Sequence, residues 1–295
     1  MSNPTRASSL QQLSDGLSDI VAEAAKSVVA VHSTRSRSSG FVWRPGLIVT
    51  ADEALADEGE INLVLPSGET TPATLVGRDP TTDIAVLRAD GVKAPAVPLQ
   101  SAPLSLGALA LAVGVGRGAP IAAFGAVSFV GPAWRSLRGG EIDARVELDL
   151  SLRRAGEGGL ALDVSGNAFG MVVFGPRHQV LVIPATTIER VAAKLQTHGR
   201  VARGYLGLGL QAAKLDGDGG LAAMVMSVDP AGPGSAAGVH QGDLIVKWNG
   251  EPVRGIRELL RALGPDSVGQ TVKLSLLRGG NPTEVTLTIG ERPAG

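Results

Sequence analysis

Gly204-Tyr205-Leu206-Gly207-Leu208 is the stretch whose residue types and spacing point most directly to binding chemistry. Its glycines let another chain come close to the backbone, which opens its successive N–H groups to an acceptor. The same residues also suit a buried strand entry with no ligand, because apolar side chains beside glycine are common in cores. Other candidate chemistries fall away. The chain has no cysteine, which excludes disulfides, thiolate metal sites and a cysteine nucleophile. Gly114-Val115-Gly116 and Arg278-Gly279-Gly280-Asn281-Pro282 are glycine-rich, but neither precedes a helix as a phosphate-binding loop must, so both read as turns and no cofactor is expected. Trp43, Trp134 and Trp248 are scattered and read as core filling. With 27 basic and 28 acidic residues interspersed, the formal net charge is −1, so no field gathers nucleic acid or anionic lipid.

The elements that must position such groups follow from hydrophobic period. Leu10, Leu13, Leu17, Ile20, Val21 and Ala24 recur at helical spacing, which predicts an amphipathic helix over roughly residues 8–26 within an N-terminal arm, 1–26. From Ser27 to about Pro184 the pattern changes to short Val-, Leu- and Ile-rich runs broken by Gly and Pro, the reading of an all-β body. Helical spacing returns over Ile188 to Leu195, and His198-Gly199 fits a helix end. The body is therefore drawn over 27–198, with a connection at 199–203 and a small α+β module over 204–295. In that module Leu221 to Val228, Asp243 to Trp248, Val272 to Leu277 and Val285 to Ile289 read as strands, and Gly255 to Leu263 as one helix with Ile256, Leu259, Leu260 and Leu263 on one stripe. Met1-Ser2-Asn3-Pro4-Thr5-Arg6 lacks the basic-then-apolar order of an export signal, and the longest apolar run, Leu106 to Gly116, is too short to span a membrane, so a cytoplasmic protein is expected.

Four stretches, in order, resemble the HtrA (Deg) family, which joins a trypsin-like serine protease domain to a C-terminal PDZ domain. Ser39-Gly40-Phe41-Val42 followed by Leu47-Ile48-Val49-Thr50-Ala51-Asp52-Glu53 resembles the segment that ends in the catalytic histidine; the final position here is Glu53. Asp79-Pro80-Thr81-Thr82-Asp83-Ile84-Ala85-Val86-Leu87-Arg88 resembles the segment of the catalytic aspartate and puts Asp83 in that place. Asp149, followed eight residues later by Glu157-Gly158-Gly159, resembles the nucleophile loop, with Glu157 where serine is expected. Val180-Leu181-Val182-Ile183-Pro184 and Arg203-Gly204-Tyr205-Leu206-Gly207-Leu208 resemble the last barrel strand and the entry to the PDZ domain, and Pro233 to Val239, Gly242 to Ile245 and Asn249-Gly250 continue that pattern. The resemblance implies a mostly β chain: a trypsin-like double β-barrel, then a small α+β PDZ domain. It also implies a homo-oligomer, a trimer in the family's manner, and peptide or protein C-termini as partners held at Tyr205, Leu206, Gly207 and Leu208.

In such an enzyme serine attacks the carbonyl, histidine takes its proton, and aspartate orients the histidine. Two of these three groups are replaced, and His32, His178, His198 and His240 do not lie in the expected segment. The leading expectation is a pseudoprotease that binds peptides as a scaffold, adaptor or chaperone without cleaving them. Two alternatives stay open. Ser151 or Ser165, both near the altered loop, is a relocated nucleophile, or Glu53, Asp83 and Glu157 converge into a carboxylate site for acid–base chemistry or a hard cation, with Arg153 and Arg154 as the nearest neutralising groups. No metal is expected in the leading reading.

Overall fold

The computed structural model describes residues 8–34, 36–56, 59–101, 103–215 and 220–293. Residues 1–7 of the expected arm, the Met1 to Arg6 segment included, and residues 294–295 lie outside the described residues. The chain divides into two compact units, one of residues 1–136 and 141–200, the other of 137–140 and 201–295.

The first unit opens with α1 (Ser9–Ala25), whose first turn is capped by the Ser8 hydroxyl accepting from the Gln11 amide. Only the C-terminal half of its apolar stripe is covered: Ala24 is buried, while Leu10 is 79% and Leu13 44% exposed. Two closed six-stranded barrels follow. In the first, β1 (Val28–His32), β2 (Arg37–Arg44), β3 (Leu47–Thr50), β4 (Ile61–Val64), β5 (Thr70–Asp79) and β6 (Ile84–Arg88) close in the order β1-β2-β3-β6-β5-β4. Its interior is filled by Val29, Val31, Val42, Ile48, Leu63 and Leu87. The second contains β7 (Leu109–Gly116), β8 (Ala119–Gly131), β11 (Arg145–Asp149), β12 (Leu160–Asp163), β13 (Ala168–Phe174) and β14 (Val180–Pro184), closed as β11-β14-β13-β12-β7-β8. A two-residue ladder of β9 (Trp134–Arg135) and β10 (Glu141–Ile142) interrupts it. Closure leaves neither barrel with a free edge to template aggregation.

Gly114-Val115-Gly116, expected as a turn, is instead the end of strand β7. The glycine serves packing: a Cβ on Gly114 would stand 2.5 Å from the Ser39 hydroxyl and 3.0 Å from Gly156 Cα, so only glycine admits the first barrel and the 154–156 turn this close. Helix α2 (Ala185–His198) packs against β5, β6 and β13 through the buried Ile188, Val191, Ala192 and Leu195, and ends at Gly199 in the left-handed conformation.

In the second unit β16 (Leu208–Lys214), β17 (Leu221–Val228), β18 (Leu244–Trp248), β20 (Thr271–Arg278) and β21 (Asn281–Thr288) form one antiparallel sheet in that order, with β19 (Glu251–Pro252) paired to β18. β15 (Gly204–Tyr205) pairs β22 (Gly290–Glu291). Helices α3 (Pro233–Ala236) and α4 (Ile256–Ala262) complete it. The core gathers Leu206, Val225, Ile245, Leu259, Leu274 and Leu287. Asn249-Gly250 and Gly279-Gly280 have positive φ at both central residues, as two-residue hairpin turns require. Arg278, read as part of a turn, also makes a paired bridge to buried Asp243 (Nε–Oδ1 2.9 Å, Nη2–Oδ2 2.8 Å) and donates to the Gly238 carbonyl.

Candidate functional site

Asp83 is placed by the turn that precedes it. The buried Asp79 carboxylate accepts from the Thr81 amide and from both the Thr81 and Thr82 hydroxyls, at 3.1, 2.6 and 2.8 Å. That closed Asx turn delivers Asp83 with φ +58, a conformation aspartate tolerates better than most residues. Its Oδ1 accepts from the Glu53 backbone N–H at 2.7 Å. The strand-to-turn segment bearing Glu53 is held in turn by Asp52, which is buried and paired with the Arg78 guanidinium. Arg78 also donates to the Asp52 carbonyl. Neither Asp52 nor Arg78 was singled out from sequence; an aspartate in an otherwise apolar strand end was the available signal.

With no imidazole beside it, Asp83 lies among acids. Burial drives its pKa from 3.8 up to about 8; the Glu53 N–H opposes the rise, and the charges of Glu53, Glu157 and Asp52 add to it. Glu157 is 9% exposed, and burial likewise raises its pKa, against the Phe174 N–H that donates to it and the Arg154 charge nearby, and with the Glu53 charge. The Glu53 side chain is exposed. The three residues are thus close enough to sense one another, but no group of three or more His, Asp or Glu side chains among the described residues could hold a metal ion.

The loop of Glu157 is a 3-10 turn, Arg154–Gly156. In it the Gly156 amide donates to the Arg153 carbonyl at 2.8 Å and the Glu157 amide to the Arg154 carbonyl at 3.2 Å. The Glu157 amide is thus engaged within its own turn. Ser39 of β2 fixes the loop from outside: its N–H donates to the Glu157 carbonyl at 2.8 Å and its hydroxyl to the Ala155 carbonyl at 2.6 Å, while accepting from the Val115 amide. Ser151 and Ser165 are exposed, and neither has a histidine among its hydrogen-bond partners.

In the second unit the Gly204–Leu208 segment folds over the start of β16. The Tyr205 hydroxyl donates to Asp229 Oδ2 at 2.8 Å, Asp229 N–H returns to the Gly207 carbonyl at 2.8 Å, and Gly234 N–H donates to the Leu206 carbonyl at 2.7 Å. Gly207 has φ +71, and a Cβ there would meet Gly232 Cα at 2.8 Å. These bonds use the loop's carbonyls and leave its amides: among the described residues, neither the Leu206 nor the Gly207 N–H donates to a backbone carbonyl. The Leu206 side chain is core, 3% exposed, so what it offers a ligand is its backbone. Asp229, missed in the sequence, is what braces Tyr205. β16 is the sheet's outer strand, and α4 lies beside it with Leu259 buried and Leu260 56% exposed.

Two six-stranded barrels with this strand order, followed by a module built on a six-stranded sheet with an amide-lined loop, define a trypsin-like peptidase fold joined to a PDZ domain. Family models agree: the trypsin-like peptidase domain matches residues 38–171 and the PDZ domain residues 204–289. The chain belongs to the HtrA (Deg) family. It is 30% identical over 277 residues, 88% of its length, to the probable periplasmic serine endoprotease DegP-like of Rhizobium meliloti, of which that match covers 54%. The protein of the same name from Brucella suis is 31% identical, with 88% and 53% covered. The chain spans about half the length of these curated relatives. Among solved structures, the serine endoprotease from Yersinia pestis superposes with a TM-score of 0.70 at 28% identity, covering 94% of this chain and 98% of that one. The HtrA-type protease AlgW with tripeptide gives 0.66 at 25% identity, covering 94% and 98%. The cytoplasmic expectation is corrected by these relatives, which are named as periplasmic proteins. The missing leader pattern that suggested it concerned residues 1–6, outside the described residues. No helix among the described residues is long and apolar enough to cross a membrane.

Proposed function

We propose that the chain is an HtrA-like pseudoprotease that binds protein or peptide C-termini through its PDZ domain, as a scaffold or chaperone-like adaptor, without cleaving peptide bonds. The observation that carries this reading is the state of the Glu157 loop. Both groups that would do the chemistry are glutamates, and the amide that would receive the oxyanion already donates to the Arg154 carbonyl. Peptide binding is supported by the free Leu206 and Gly207 amides beside an outer strand, to which an extended peptide adds as a further strand. Relatives named for the periplasm favour that compartment as its workplace. A homo-oligomer, a trimer by family resemblance, belongs to the same proposal and is checked by light scattering.

The test uses the full chain. Labelled peptides with free C-termini bind in fluorescence anisotropy, and the same peptides with amidated C-termini bind at least about tenfold more weakly, since a nest of amides recognises charge. Casein is not degraded. Equal affinity for free and amidated peptides removes the C-terminal reading. Hydrolysis that co-purifies with the chain and disappears on Ser151→Ala or Ser165→Ala establishes a relocated nucleophile instead.

A further inference from the structure

Beside the 3-10 turn the barrel unit holds a cavity of about 350 Å³, with Ala30, His32, Arg37, Ser38, Arg117 and Ala155 on its walls. These come from separate elements: His32 and Arg37 are the last pair of the β1–β2 ladder, Arg117 sits in the two-residue turn between β7 and β8, and Ala155 lies in the 3-10 turn. The space is kept open by small residues. A Cβ on Gly118 would meet nothing within 4 Å, and Ala30 and Ala155 reach no further than a methyl group.

The polar side chains of the lining share one chemical character. The Ser38 hydroxyl is buried, its residue 1% exposed, and has no hydrogen-bond partner among the described residues. A buried hydroxyl left unpaired is destabilising, and folded chains rarely leave one without a ligand, ion or water to satisfy it. Arg37 and Arg117 make no ion pair with an acidic side chain among the described residues. No carboxylate among the described residues lines the cavity. His32 is held below its ordinary pKa by burial and by Arg37, so at neutral pH it is an uncharged imidazole, with one N–H to donate. Two unpaired guanidinium groups, an orphan hydroxyl and an imidazole around one space are donors awaiting an acceptor.

We propose that this cavity is a binding site for a small oxyanion, held by Arg37, Arg117 and the Ser38 hydroxyl. Phosphate and the carboxylate of an acidic peptide side chain share that chemistry, and guanidinium groups bind either through charge-assisted hydrogen bonds. The site is independent of the PDZ reading, since it lies wholly within the barrel unit.

Isothermal titration of the full chain with inorganic phosphate, and separately with a glutamate-containing tripeptide acetylated and amidated at its ends, distinguishes the sources. The blocked ends keep the peptide from the Leu206–Gly207 amides. Saturable binding of phosphate, of the peptide, or of both is expected, weakened at least about tenfold in the Arg37→Gln/Arg117→Gln variant and severalfold in Ser38→Ala. Phosphate alone identifies a free-anion site, and the peptide alone a subsite for an acidic residue. Ser38→Ala removes only the unpaired hydroxyl, so its melting temperature stays equal to or above that of the wild type and its binding result is read on a folded protein. Absence of saturable binding to both probes, or affinities unchanged in the double arginine variant, overturns the proposal.

Discussion

Replacing Asp83 with asparagine should stabilise this protein, and by more as the pH rises. In a working triad an imidazolium would offset the aspartate charge; here the neighbours are Glu53, Glu157 and Asp52, and burial lifts the Asp83 pKa from 3.8 to about 8. The native state therefore keeps this proton between about pH 4 and about pH 8, whereas the unfolded chain has released it, and stability falls with rising pH across that window. Below about pH 4 both states are protonated and above about pH 8 both are ionised, so the contribution is level at either side. At about 1.4 kcal/mol per pKa unit, the wild type loses roughly 4 kcal/mol through this group between about pH 5 and about pH 9. The carboxamide introduced by Asp83→Asn would keep the acceptor for the Glu53 N–H, and asparagine tolerates the positive φ at least as well as aspartate. Urea unfolding of both proteins, followed by circular dichroism across that range, isolates the effect as a difference. The variant should gain steadily on the wild type from acid to alkaline pH. A difference constant with pH, or a wild type that is the more stable at alkaline pH, refutes the reasoning.

Arg78→Met leaves the Asp52 carboxylate buried without its partner, which should cost about 3–5 kcal/mol in chemical denaturation; Asp52→Asn/Arg78→Met, which also removes the stranded charge, should recover part of that loss. Gly158→Ala should destabilise the barrel unit by about 3 kcal/mol or prevent its folding, because φ is +83 there and a Cβ would stand 2.2 Å from the Ser39 carbonyl oxygen. Thermal melts report it, and a melting temperature equal to that of the wild type contradicts the close approach.

Period and punctuation carried most of the fold. Runs such as Leu47 to Thr50 and Leu221 to Val228 became β3 and β17, and Asn249-Gly250 became a hairpin turn, because each is decided by local alternation and backbone preference. Gly114 to Gly116 misled because a glycine pair signals either a turn or a close approach, and the neighbour that decides, Ser39, lies far earlier in the chain. α1 formed where its spacing predicted, but which part of its apolar stripe is covered is tertiary and cannot be read from that spacing. Glu53, Asp83 and Glu157 were legible as positions, but their energetics were not. That Asp83 has a strongly raised pKa, and that Glu157 finds the Phe174 N–H, depends on which carboxylates the barrels bury.

The same contrast separates positions 53 and 157 from the residues that hold the barrels together. The groups that would react stand at the margin of the seam between the barrels, where Glu53 is exposed and Glu157 gains a backbone donor. The groups that hold the seam are different ones. Ser39 joins β2 to the 154–156 turn and to β7 through its amide and hydroxyl, and its carbonyl accepts from the Thr50 hydroxyl of β3 at 2.7 Å. Gly114 and Gly158 admit this contact by having no side chain. Substitution at positions 53 and 157 touches none of these bonds except through the backbone, which every residue supplies. The acids at positions 53, 83 and 157 and the residues that hold the seam are thus separate sets, and the barrel unit is acidic around Asp83 and basic at the cavity beside Ser38.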